Sequence, residues 1–428
     1  AGYTSLSLFS VGEKASLGLN YNGVTGYRSD DEVSNFRIRP ERRNEYEGGA
    51  DLSLFNGRMG ISTTFYNAIS TDIIYDIDVI PSTGADEMTA NGASIRNNGL
   101  ELTFDYRVID RKKIKWETKF IYASNQNTVL EMNGVDADMA KTMDPNLVPS
   151  QGIAKFSEVS PGHEYAEFKV LSWARFGHGL AVDHDLDINT PDVAIDTLAD
   201  YNWEKNDVYI GKNGLPIMYS EKIWSGYAPN PDWTGSLYND IKIGKKIKLS
   251  CLIDISMGGH IANYTKNSLY EWGTHADTDK RYHPDFDNPD WYGYEEGVTT
   301  EWGKGTFQEL INHGHKAIGP GQDSIITFSQ NLYENYMGRN TDVINNIEDA
   351  SYMKLREIAL SYNFGPVKIG YLGDPNVTIR ISAQDLKTWT NYSGWDPETN
   401  MYQDRISGED YFNQPQTWRA NMAIQFNW

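Results

Sequence analysis

The acidic residues are where chemistry would first be sought. Asp183, Asp185, Asp187, Asn189 and Asp192 fall close to the two-residue step of a calcium-binding loop. The rest of that loop does not follow: Ile188 stands where the sharp turn needs Gly, and Ala194 stands where a bidentate Glu should close the shell. A solvated acidic loop is expected there. Asp277, Asp279, Asp285, Asp287, Asp290, Glu295 and Glu296 form a second run that could hold calcium or another hard cation, without specific spacing. His313 and His315 have no Cys or third His nearby, so no zinc site is expected. No Gly-x-Ser-x-Gly, His-Glu-x-x-His or P-loop occurs, so the expectation is no enzyme, no catalytic residue and no cofactor. An enzyme whose site converges from separate loops is the alternative left open.

Binding is better represented than catalysis. Trp203, Trp224, Tyr264, Trp272, Tyr282, Trp291, Tyr292, Tyr294 and Trp302 lie in stretches rich in Asp and Asn. Aromatic faces stack on sugar rings with little entropy loss, while carboxylates and amides bind hydroxyls, so these are the substrate-contact candidates. The same rings could instead pack loops together or face a partner, and for any single ring packing is the commoner outcome. A net charge of −21 argues against nucleic acid, whose phosphates need basic patches.

The elements that must carry these loops are strands. With 27 Tyr, 12 Trp and 38 Gly in 428 residues, the composition is that of an all-β protein. Ile247, Leu249, Cys251, Ile253, Ile255 and Met257 share one face, with Lys248, Ser250, Leu252, Asp254 and Ser256 opposite. Leu100 to Val108, Ile114 to Tyr122, Ile358 to Phe364, Val377 to Ala383 and Trp418 to Trp428 alternate in the same way. Such runs suit the roughly 9–11 residues of a membrane-crossing strand. Their second faces carry Glu101, Asp105, Arg107, Lys115, Lys119, Lys248 and Asp254, which a dry core rejects and a polar lumen accepts. These are the lumen- or plug-facing candidates; a soluble β-sandwich is the rival architecture. No run of eighteen apolar residues occurs, which excludes helical spans but not a barrel. The lone Cys251 excludes a disulfide framework. Nothing after Ala1 resembles a signal peptide, so either a cytoplasmic chain or one lacking its N-terminal part is expected.

Connections alternate in length. Leu54-Phe55-Asn56-Gly57-Arg58, Asp110-Arg111-Lys112 and Gly244-Lys245 are tight turns, whereas 70–95, 129–232, 260–350 and 387–416 are long. Short turns on the periplasmic side and long loops outside are the outer-membrane pattern. Parity then predicts crossings at 14–22, 43–55, 58–69, 96–109, 112–128, 233–243, 246–259, 351–364, 375–386 and 417–428. It makes 260–350 a single excursion in which 328–337 does not cross, and 165–176 is a candidate extra crossing. About ten to twelve strands are too few to enclose a lumen beneath such loops, so part of a larger barrel is expected.

Several ordered blocks carry a resemblance. They are Asn35-Phe36 through Arg39-Pro40-Glu41, LFNGRMGISTTFYN at 54–67, IRNNGLE at 95–101, Pro231-Asp232-Trp233 with YNDIKIGKKIKLSCLIDISMGGHIAN to Asn263, EDASYMKLREIALSYNF at 348–364, and Asp396-Pro397-Glu398 with the terminal strand. The chain resembles the C-terminal half of a SusC/RagA-type TonB-dependent outer-membrane transporter. The resemblance implies that 1–428 is the C-terminal portion of an antiparallel transmembrane barrel of about 22 strands in the bacterial outer membrane. The plug and first strands would lie elsewhere. It implies as partners an N-terminal plug, a SusD-like surface lipoprotein, the TonB complex, the barrel-assembly machinery and membrane lipid. The resemblance implies import of glycans or peptides; the Trp, Tyr, Asp and Asn of the long loops favour a glycan or oligosaccharide, and a peptide importer of the same family, or a passive barrel, is the alternative. Phe426 and Trp428 resemble the terminal signal read during barrel assembly.

Overall fold

The computed structural model describes residues 37–78, 87–132, 151–174, 207–275, 316–327, 343–401 and 408–428, apart from a few positions within them. It also describes the short strands Asn20–Tyr21, Val24–Thr25, Glu32–Val33 and Lys304–Gly305. Most wall strands match the alternating runs. They are β1 (Arg42–Leu54), β2 (Met59–Asp78), β3 (Glu87–Arg111), β4 (Ile114–Met132), β5 (Trp233–Ile243), β6 (Ile247–Met257), β7 (Tyr352–Pro366), β8 (Asn376–Thr390) and β9 (Arg419–Asn427). Each pairs antiparallel with the next, from β1 at one edge to β9 at the other. Chain neighbours thus become sheet neighbours, which is the cheapest order to close because every loop joins adjacent strands.

The pairing sorts the side chains onto two faces. One carries Leu102, Phe120, Leu237, Ile253, Leu360, Ile381 and Met422, and many of the large apolar groups on it are solvent-accessible. In water such a face would be an aggregation surface, whereas facing lipid it is the stabilising one. The other face carries Asp105, Lys119, Asp240, Asp254, Lys354 and Ser382. Rings collect near both ends of the apolar face. Tyr106, Trp116, Tyr362, Phe364, Phe426 and Trp428 lie at the short-turn end, and Tyr122, Trp233, Trp389 and Trp418 at the other. The ten-residue step from Trp418 to Trp428 spans about 33 Å along a strand, or about 25 Å once tilted by roughly 40°, the height of a lipid-facing apolar band.

The turns behave as their residues require. Phe55, Asn56 and Gly57 all take positive φ (55°, 56° and 73°), and Arg58 N–H donates to Phe55 O at 3.2 Å. Gly244 has a φ of 60° in the β5–β6 turn. Gly99 serves a different need. It lies on β3 opposite Tyr66, and a Cβ there would collide with the Tyr66 ring and with Ser124 O. Its bare backbone lets the Tyr66 ring lie across the polar face and donate from Oη to Asn125 Oδ1 at 3.0 Å.

The long connections do not stand as separate loops. Phe156, Phe168 and Val170 from the β4–β5 connection share one apolar core with Ala262, Val343 and Ile347 from the β6–β7 connection. A second small core joins Ala93, Val129 and Met132, at the tops of β3 and β4, to Val159. The candidate crossing at 165–176 is therefore corrected: Glu167–Val170 is a short strand inside this cap, with Phe168 and Val170 fully buried, in a four-stranded sheet with Ile223–Trp224, Ser157–Val159 and Gln151–Gly152. Its apolar residues are drawn to the cap core rather than to lipid. The third long connection enters through Glu409–Asp410, which pair in parallel with Ala262–Asn263. Most of the expected crossing at 14–22 and the segment 328–337 lie outside the described residues.

Candidate functional site

On the polar face the charges oppose one another across strands. Asp105 stands directly opposite Lys119, and Arg107 opposite Glu117. Lys115 Nζ lies 3.5 Å from Asp110, and Lys248 Nζ lies 3.0 Å from Asp240. Glu101 is exposed between Thr64 and Ala123. Opposite charges on facing residues stabilise a sheet modestly, and here they neutralise much of the face from within. Asp105, Arg107, Glu117, Lys119 and Asp240 line a groove of about 370 Å³ at the short-turn end, beside Arg58.

Asp254 belongs to a larger network at the opposite end. Its Oδ2 accepts from Arg356 Nε at 2.7 Å and its Oδ1 from Ser236 at 2.8 Å. Arg356 also donates to Asp385 at 3.1 Å and reaches both oxygens of Glu398, at 3.1 and 2.5 Å. Lys354, only 1% exposed, donates to Asp396 at 3.2 and 2.9 Å and to Glu398, and Tyr352 Oη donates to Glu398 at 2.6 Å. A double bulge makes this possible. Leu252 pairs with Glu357 while Ile253 pairs with Leu355, and β8 carries Asp385, at a φ of 53°, beside the same irregularity. Arg356 and Glu357 consequently both reach the polar face. Burial opposes the charge on Glu398, but hydrogen bonds from Arg356, Lys354 and Tyr352 outweigh it and pull its carboxyl down to about 2.

The cap rings meet mixed fates. Trp224 is stacked on His163, with centroids 3.9 Å apart, and Lys169 Nζ lies 5.1 Å from its ring. Tyr264 stacks on Tyr411 at 4.5 Å, meets Phe156 edge-on at 5.3 Å, and has Lys155 Nζ 3.4 Å from its ring centre. Both therefore pack the cap. Trp272 is 53% exposed and lies nearly parallel to Phe412, 5.5 Å away, forming an open two-ring ledge that continues inward through Tyr411 to Tyr264. Beneath the ledge Glu409 is fully buried, accepting from Phe156 N–H at 2.6 Å, and burial pushes its carboxyl up against that bond. Trp203, Tyr282, Trp291, Tyr292, Tyr294 and Trp302, both acidic runs and the His313/His315 pair lie outside the described residues. Among the described residues no cluster of metal-binding side chains occurs.

Sequence reasoning missed the Lys354–Arg356–Glu398 network. Its signal was present: Met353 and Leu355 alternate in one phase and Ile358 and Leu360 in the other, so a bulge must fall between them. Phe412 and His163 carried no such signal, because their neighbours come from distant segments.

No family model matches the chain. TonB-dependent receptor P3 of Formosa agariphila is 22% identical over 401 residues, covering 92% of this chain and 35% of that protein. TonB-dependent receptor P39 of the same organism is 23% identical over 398 residues, covering 89% and 35%. The chain is similar in sequence to proteins named TonB-dependent receptors. It spans about a third of the length of the curated relatives it matches. The fold agrees: the RagAB peptide importer in its closed-closed state superposes with a TM-score of 0.59 at 13% identity, over 92% of this chain and 36% of that one. Its open-open state gives 0.55 at 14% identity, over 93% and 36%. The nine-strand wall thus shares the fold of part of that importer, and the relatives are named receptors rather than enzymes.

Proposed function

We propose that this chain forms the C-terminal part of the wall and outer cap of a TonB-dependent outer-membrane importer, in a barrel of about 22 strands. The observation that carries the reading is the two-faced meander: an apolar, ring-edged face of membrane height backed by a charged face suited to a plug. A plug would fill the barrel against Glu101, Asp105, Arg107, Lys115, Lys119 and Asp254, TonB would act through that plug, and a SusD-like lipoprotein would close over the cap. No bond of the substrate is made or broken.

The substrate is an oligosaccharide in this reading, met at the cap. The Trp272–Phe412 ledge supports it, since stacked, exposed rings bury the apolar faces of a sugar. Trp203, Tyr282, Trp291, Tyr292 and Trp302 are further candidates by residue type, whereas the packed rings of Trp224 and Tyr264 favour a supporting role. A peptide is the second reading, favoured by the similarity in fold to a solved peptide importer. Calorimetric titration of the intact receptor complex with a glycan panel and a peptide panel separates them. Trp272→Ala should weaken glycan binding by about tenfold, the equivalent of about 1.4 kcal/mol, with surface abundance unchanged. Peptide binding with no glycan binding would replace the first reading by the second.

A further inference from the structure

We propose that the flap 394–400, in the connection between β8 and β9, is an ionic latch that lifts off the polar face while the segments on either side of it stay anchored. This rests on the side-chain network alone and does not depend on the transport reading. Both ends of the flap are pinned. On one side Ser393 N–H donates to Glu348 at 2.8 Å and Tyr392 Oη donates to Asp410 at 2.6 Å. On the other, Met401 N–H donates to Glu409 O at 2.6 Å, within the paired strand Glu409–Asp410. Between the pins the flap reaches the wall through charge. Asp396 sits on Lys354, while Glu398 collects Tyr352, Lys354, Arg356 and, from the returning limb, Gln416 at 3.2 Å. Trp395 is 78% exposed and adds little apolar burial, which leaves the buried ring of Pro397 as the flap's main apolar contact beside the charged ones.

That composition makes the contact releasable. Ion pairs held out of water lose part of their Coulomb gain to desolvation, and opening the flap returns Lys354 and Glu398 to water, offsetting part of the bonds lost. Gly394 lets the flap start in close approach to Tyr392, because a Cβ there would strike that ring. The wall is prepared for the open state: Arg356 keeps Asp254 and Asp385 as partners. Opening would take the carboxylates of Asp396 and Glu398 away from the cap end of the polar face, shifting that patch by two charges towards positive and leaving Lys354 without them.

Hydrogen exchange on the intact receptor in native outer membranes tests this. In the unaltered protein, amides of 394–400 should exchange at least about tenfold faster than those of β7 and β8. Glu398→Gln should speed exchange of 394–400 further while leaving 408–411, β7 and β8 unchanged. That variant leaves Asp254, Asp385 and Asp396 against Lys354, Arg356 and Arg419, so no surplus charge is buried. Equal protection of flap and wall in the unaltered protein overturns the proposal without any variant. So does exchange in Glu398→Gln that is unchanged, or that rises equally through β7 and β8, since the network would then be a brace.

Discussion

Gly99 and Glu398 show how single positions set what the wall can hold. Gly99 leaves room for Tyr66 to lie across the polar face, so Gly99→Ala forces that ring or the β3–β4 ladder to move. The expected cost is about 1–3 kcal/mol of overpacking strain, read as a lower denaturant midpoint of the refolded receptor. Glu398 sets a pH dependence. Its carboxyl is lowered from 4.5 to about 2 in the folded state, after burial is outweighed by Arg356, Lys354 and Tyr352. A depressed acid contributes stability that is fully present above the unfolded value and lost as pH falls through the folded one. The difference in thermal midpoint between the unaltered receptor and Glu398→Gln should therefore be constant from pH 8 to about 5 and shrink between about 4.5 and 2. A constant difference down to pH 2 would remove Glu398 from the latch. Asp254 was legible as a polar-face residue from alternation alone, whereas its partner Arg356 was not assigned, because the alternating run recognised on that strand, Ile358 to Phe364, starts beyond the bulge.

The strands were legible to within a few residues wherever apolar and polar positions alternate. The segment 233–243 is β5 as predicted, and β6, β8 and β9 begin and end close to the expected limits. β2 and β3 run well past the expected crossings because their upper parts pair with each other beyond a bulge near Asp72 and support the cap core. No local pattern announces that extension, nor the cap itself, whose larger core joins residues more than a hundred positions apart. The last strand carries its own consequence. Phe426 and Trp428 sit at the short-turn end of the apolar face, 6.1 Å apart, and β9 pairs only with β8 among the described residues. Deleting Gln425–Trp428 removes that ring pair and the end of the β8–β9 register. On the proposed function the truncated protein should disappear from the outer membrane, measured by surface labelling and by heat-dependent gel migration. Normal abundance would reduce the terminal rings to packing.

At the scale of the molecule, the described sheet ends in two unpaired edges, at β1 and β9. Hydrocarbon cannot satisfy such edges, so a wall of this kind needs further strands to close it. The curated relatives, roughly three times as long, have room for them. Closure would set one orientation of the wall, with the charged face inward and the apolar face to lipid. That orientation is tested by placing single cysteines at neighbouring β8 positions, Ile381→Cys and Ser382→Cys, in a Cys251→Ser receptor. Each is labelled with a fluorophore in bilayers containing nitroxide lipids. A two-faced membrane wall gives strong lipid quenching at 381 and little at 382, with the same alternation at Leu360 and Ser361 on β7. Equal quenching at both positions of a pair, or quenching on the charged side, would contradict a two-faced membrane wall.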